Sequence, residues 1–180
     1  MFDVNRYLYY NEAMNEQNYM KEALGSFAMP SYEQIPDVGL YLEQVARFIN
    51  SFLTAYPEMT VTPSMISNYA KQKLIARVNK KTYTREQIAA LIMIALSKTV
   101  ISIEHVRLML EELRETDESL EKAYTLFAGS LTDVLHSLGD NDTYIAPGAE
   151  SDTGRMMKNI VIAIAHKMYL EKYFETRSAK

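Results

Sequence analysis

The sequence predicts an all-α, mainly helical protein, on three observations. Its composition, 48% apolar with only six Gly and five Pro in 180 residues, is that of a globular, helix-rich chain. Several stretches with apolar residues at helical spacing open on a helix-starting residue. In the second half, Leu120, Tyr124, Phe127, Leu131, Val134 and Leu138 follow spacings of 4, 3, 4, 3 and 4, a heptad-like seam.

Residues 1–36 form an N-terminal segment rich in Tyr, Asn and Met, with a short helix expected over residues 12–24, and the segment is suited to packing over another surface. Asp37 is then expected to cap a helix carrying Val45, Phe48, Ile49, Phe52, Leu53 and Tyr56, ended by Pro57. Thr62 followed by Pro63 is a second start, with Ile66, Tyr69, Ala70 and Leu74 turned inward. After a turn around Val78 to Lys80, Thr84 and Gln87 make a capping box. That helix buries Ile88, Leu91, Ile92, Ala95 and Leu96, and Ser102 starts another carrying Ile103, Val106, Met109, Leu110 and Leu113.

The seam is expected to end at Gly139, followed by the turn-rich stretch 139–154. A last helix from about Arg155 to Glu175 is apolar nearly all round, which predicts a central core helix or a subunit interface. Seam and last helix together offer more apolar surface than one small bundle needs, so a homodimer is expected through residues 116–180. The Met and Tyr positions of this region are also candidates for lining a pocket for a small apolar effector, with core or dimer packing as the alternative.

Composition narrows function. Without cysteine there is no disulfide framework and no thiolate chemistry, as fits a reducing compartment. The N-terminus lacks the pattern of a secretory signal, and the longest apolar run near the C-terminus, Ile160 to Ala165, is far short of a membrane span. A cytoplasmic protein with no membrane partner is expected. His105, His136 and His166 lie 31 and 30 residues apart without ligand spacing, and Asp140, Asn141 and Asp142 read as a turn, so no metal site is expected. No nucleophile with a nearby base and no Gly-rich phosphate loop is present, so the expectation is neither an enzyme nor a cofactor protein.

Charge gives the positive signal. From Met59 to Arg85 the chain carries six basic residues and no acid, although the whole has a net charge of −4. Ser64, Ser67, Asn68, Lys71 and Gln72 share the outer face of the Pro63 helix, and Arg77, Lys80, Lys81, Tyr83 and Arg85 follow it. Two helices, the second with a small polar face, then a basic turn and two more helices, is the layout of a winged helix-turn-helix. Short side chains let such a helix approach base edges, Asn and Gln can pair with adenine, and flanking cations can neutralise phosphates. These ten residues are the candidate DNA-binding set. A merely solvated face is the alternative reading of the cations, and Tyr69 and Tyr83 suit packing better than base stacking.

"VTPSMISNYAKQKLI" and "KKTYTREQIAALIMI", followed by "ISIEHVRLML", resemble the DNA-binding domain of the MerR regulators. The resemblance covers about residues 38–113. It implies Ile66, Tyr69, Leu74 and Ile75 as the core of a recognition helix, Lys81 and Tyr83 as a wing element, and Ile88, Leu91 and Ile94 in a supporting helix. "LYLEQV", "MISNYAKQKLI" and "KKTYTREQI" together also resemble an uncharacterised bacterial family of unknown function, linked by similarity to MerR-like helix-turn-helix proteins. This chain departs from the MerR pattern in four places. Ser67 and Asn68 replace a frequent Arg and Tyr, and Lys73 replaces a Gly. The wing between Ile75 and Tyr83 is short, and the link around Ser51 to Met59 is long. The resulting expectation is a transcriptional regulator reading DNA as a dimer, with residues 37–115 as the MerR-like winged helix-turn-helix and 116–180 as a C-terminal helical dimerisation or effector region. The alternative is a protein-interaction module of the same fold that meets an acidic partner protein.

Overall fold

The computed structural model describes residues 17–78, 81–116, 119–142 and 151–178. They are mainly helical. Helix α1 occupies residues 17–25. It is followed by α2 (Leu42–Ser51), α3 (Pro63–Lys71), α4 (Arg85–Ser97), α5 (Ile103–Glu115), α6 (Leu120–Gly139) and α7 (Asp152–Ser178). Two short strands, β1 (Leu40–Tyr41) and β2 (Thr82–Tyr83), pair antiparallel with Leu40 opposite Tyr83 and Tyr41 opposite Thr82.

The local start signals act as the sequence predicts. Thr62 Oγ1 accepts from Met65 N at 3.2 Å. Thr84 Oγ1 accepts from Gln87 N at 3.3 Å while Gln87 Oε1 accepts from Thr84 N at 2.9 Å, which completes the capping box. Ser102 Oγ accepts from His105 N at 3.2 Å. Asp37, however, caps nothing: α2 starts only after β1, where Gln44 Oε1 accepts from Tyr41 N at 2.9 Å. The reason is non-local. Gly39 brings the chain so close to β2 that a Cβ there would lie 2.9 Å from Thr82 Cβ and Oγ1, and strand pairing takes the residues that a local reading gives to the helix. At its far end α2 stops at Ser51, and Leu53 and Tyr56 reach the core from the connection beyond it.

One apolar core runs from Met20 to Met168. Its centre is α4, where every residue from Gln87 to Ser97 is buried. For the last helix, α7, the expectation is a central core helix or a subunit interface, and α7 is not the central one. It buries Ile160, Val161, Ile164, Ala165 and Met168 but leaves Ala163, Leu170 and Phe174 exposed. The polar residues Arg155, Asn159 and His166 interrupt that same outer side, whereas the α4 run from Ile88 to Leu96 is unbroken. The seam that carries the homodimer expectation lies inside the chain. Tyr124, Phe127, Leu131 and Val134 are buried in the chain's own core, with α6 packed chiefly on α7 and α4.

Residues 1–16 of the N-terminal segment lie outside the described residues, and the part after α1 runs along α6. Tyr124 Oη donates to Pro30 O at 2.8 Å, Met29 N donates to Thr132 Oγ1 at 3.4 Å, and His136 Nε2 lies 3.1 Å from Phe27 O. Helix α6 ends at Gly139, where the seam is expected to end, and Gly139 also serves this contact. A Cβ on it would come within 3.3 Å of Leu24 Cβ and 3.4 Å of the Lys21 backbone. The left-handed residue ending α6 is Asn141, at φ 58°, with Asp142 N bonded to Ser137 O.

Candidate nucleic-acid interface

Helix α3 is fixed at both ends, and the basic residues ride on that frame. At its start the Asn50 side chain in α2 makes two hydrogen bonds to the Val61 backbone, Nδ2 to the carbonyl at 2.9 Å and Oδ1 from the amide at 2.8 Å. This pair sets where the long connection delivers the chain. Ile66 and Tyr69 then point into the core. The Tyr69 phenol is pushed above its ordinary pKa by burial, and the Lys98 ammonium, 5.9 Å from the ring centroid, is lowered by its own burial.

At its end α3 closes in a Schellman motif. Lys73 N bonds to Ala70 O at 3.0 Å, Leu74 N bonds to Tyr69 O at 3.1 Å, and Lys73 holds φ 60°. A residue with a Cβ thus stands in the left-handed position that glycine usually takes. Carbonyls beyond the helix are met by side chains from α4 and α5. Arg107 Nη1 donates to Gln72 O at 2.9 Å and Arg114 Nη2 to Leu74 O at 2.8 Å. Gln87 Nε2 donates to Ala76 O at 3.0 Å and Arg77 O at 3.1 Å. The stretch from Gln72 to Arg77 is therefore braced although it is not regular secondary structure.

On the outer side of this frame Ser64, Asn68 and Lys71 are exposed and Ser67 and Gln72 half-exposed. Lys73, Arg77 and Lys81 are exposed as well, and with Lys71 they have no acidic partner among the described residues. Lys21, Lys167 and Lys172, by contrast, are each paired with a carboxylate. Lys80 lies outside the described residues.

Two of the expected residues are turned inward. Tyr83 is buried at 6% exposure, and burial raises its phenol pKa. Arg85 Nε donates to Ile35 O at 2.8 Å, its guanidinium sits 5.6 Å from the centroid of the Tyr32 ring, and Asp37 lies 3.9 Å away. It braces the chain before β1 and leaves the outward set. Sequence reasoning missed Arg107 and Arg114 as supports of α3. Their spacing of seven on one helix was the signal available, because it puts both guanidinium groups on one face.

Among the described residues no group of three or more His, Asp or Glu could hold a metal ion, and no helix is long and apolar enough to cross a membrane. What remains is a mainly helical protein with one braced, cationic helix end. Residues 30–127, more than half of the chain, match the model of a domain of unknown function, DUF1836, and the chain belongs to that family. No curated protein and no solved structure matches it.

Proposed function

We propose that the outer face of α3 and the turn after it bind DNA, and that the protein is a transcriptional regulator with a MerR-like helix-turn-helix. One observation carries this reading: Lys71, Lys73, Arg77 and Lys81 are exposed without acidic partners beside Ser64, Asn68 and Gln72, on a backbone held by Arg107, Arg114 and Gln87. Cations left unpaired on a rigid frame suit phosphates, and the short polar side chains between them suit base edges. With Arg85 and Tyr83 turned inward, the proposed reading set is α3 with Lys73, Arg77 and Lys81.

The test is a salt titration of DNA binding on selected and scrambled duplexes. Asn68→Ala and Gln72→Ala are expected to relax sequence preference, each by roughly 1–3 kcal/mol at one base position. Lys71→Ala and Lys81→Ala are expected to weaken all sequences alike and to lower the slope of log affinity against log salt by about 0.9 per lost contact. Wild type that cannot tell the duplexes apart, with Asn68→Ala and Gln72→Ala inert, rejects sequence reading in favour of a module that meets an acidic protein partner.

A further inference from the structure

A partly enclosed cavity of about 310 Å³ opens where α4, α5 and the start of α6 meet the chain that follows α3. It is at the small end of ligand-binding pockets, which run from roughly 300 to 1,000 Å³. Its lining is largely apolar, with Ile75, Leu110, Leu113 and Leu120 as the bulkiest contributors. Two opposite charges interrupt it, Glu86 from the first turn of α4 and Arg114 from the last turn of α5. They form no ion pair with each other, and Glu86 has no basic partner among the described residues. Arg114 gives Nη2 to Leu74 O and keeps its other guanidinium N–H groups.

We propose that this cavity binds a free α-amino acid with an apolar side chain. A carboxylate suits Arg114, an ammonium group suits Glu86, and an aliphatic or aromatic side chain suits the leucines that line the same cavity. A ligand carrying only a carboxylate gains Arg114 but faces Glu86, and a simple amine meets the reverse, so only the zwitterion satisfies both. The size of the cavity sets a small ligand. The site stands independently of DNA binding, yet it touches the frame of α3, because Arg114 and Gln87 line the cavity and also hold the carbonyls of Leu74, Ala76 and Arg77.

The experiment is calorimetry of the full chain with leucine and phenylalanine, beside the amines that lack their carboxylate and the carboxylic acids that lack their amino group. One of the two amino acids is expected to bind, with both kinds of analogue at least about tenfold weaker, since each loses a charge-assisted hydrogen bond. Glu86→Gln is expected to weaken the amino acid by about the same factor without weakening the carboxylic acid. Amide exchange at residues 74–78 is expected to slow when the ligand is bound. Absence of binding by both amino acids at millimolar concentration, acids or amines that bind as well as the zwitterion, or a Glu86→Gln protein that binds like wild type would each overturn the proposal.

Discussion

The amide nitrogen of Gln87 lies 3.1 Å from the carbonyl oxygen of Arg77, so the first turn of α4 holds the basic stretch in place. The same side chain completes the α4 capping box and also reaches Ala76 O. Gln87→Met keeps the volume and removes every one of these bonds. It is expected to cost about 2 kcal/mol or more, a cap together with a buried donor's partners. Urea unfolding measures the loss, and faster amide exchange at residues 74–78 locates it. A change below about 0.5 kcal/mol, the usual range of surface substitutions, would mean that the brace is dispensable.

Lys73→Gly separates fold from binding. Lys73 holds φ 60° at the end of α3, a conformation that costs a residue with a Cβ about 1 kcal/mol and glycine nothing. The variant is expected to be more stable by about that amount while losing one phosphate contact, which lowers the salt slope of DNA binding by about 0.9. Thermal melting and the salt titration read the two effects. A less stable variant would contradict the account of the helix end.

Two substitutions to Glu distinguish the in-chain seam from a subunit seam. Leu131 is fully buried between helices of its own chain, and Leu131→Glu is expected to unfold the protein at any concentration by placing an unpaired charge in the core. Leu170, 49% exposed on α7, is expected to tolerate the same change within about 0.5 kcal/mol. Circular dichroism across a dilution series checks both. A folded Leu131→Glu monomer would restore the subunit reading of the seam.

Tyr56 links the α2–α3 connection to α7. The Lys172 ammonium sits 4.8 Å from its ring centroid, and its buried hydroxyl has no hydrogen-bond partner among the described residues. Tyr56→Phe is expected to stabilise the fold by about 1 kcal/mol by removing an unpaired buried polar group. Burial pushes the phenols of Tyr56 and Tyr124 well above their ordinary pKa of 10.0. A raised folded pKa gives stability that is complete below pH 10 and is lost as pH rises further, because only the unfolded chain then ionises freely. Alkaline titration is expected to show buried tyrosinate appearing together with loss of helix. Tyr56→Phe is expected to shift that transition to higher pH, and an unmoved transition would remove Tyr56 from its cause.

Much of the helical layout was legible because helix starts are local. Thr62 with Pro63, Thr84 with Gln87, and Ser102 each determine their own turn with side chains three residues away. The misreadings are non-local. Asp37 lost its helix to a strand pairing with Thr82 and Tyr83, more than forty residues on. The seam of α6 has the same pattern whether it meets another copy or α7, so its partner could not be read from spacing. Of the candidate interface, the face of α3 was legible from helical periodicity. The inward turn of Arg85 was not, because a cation next to a turn looks alike in sequence whether it meets solvent or the carbonyl of Ile35.

Beyond Arg85 and Glu86, helix α4 has no exposed residue, since those from Gln87 to Ser97 are all buried. Such a helix behaves like an axle seized in its housing. To turn or slide, it would have to lift close-packed side chains out of their sockets along most of its length. Movement of the cationic end of α3 relative to α6 and α7 therefore cannot travel through the body of α4. It has to pass around it, through single side chains at its ends such as Gln87, and through the arginines of α5.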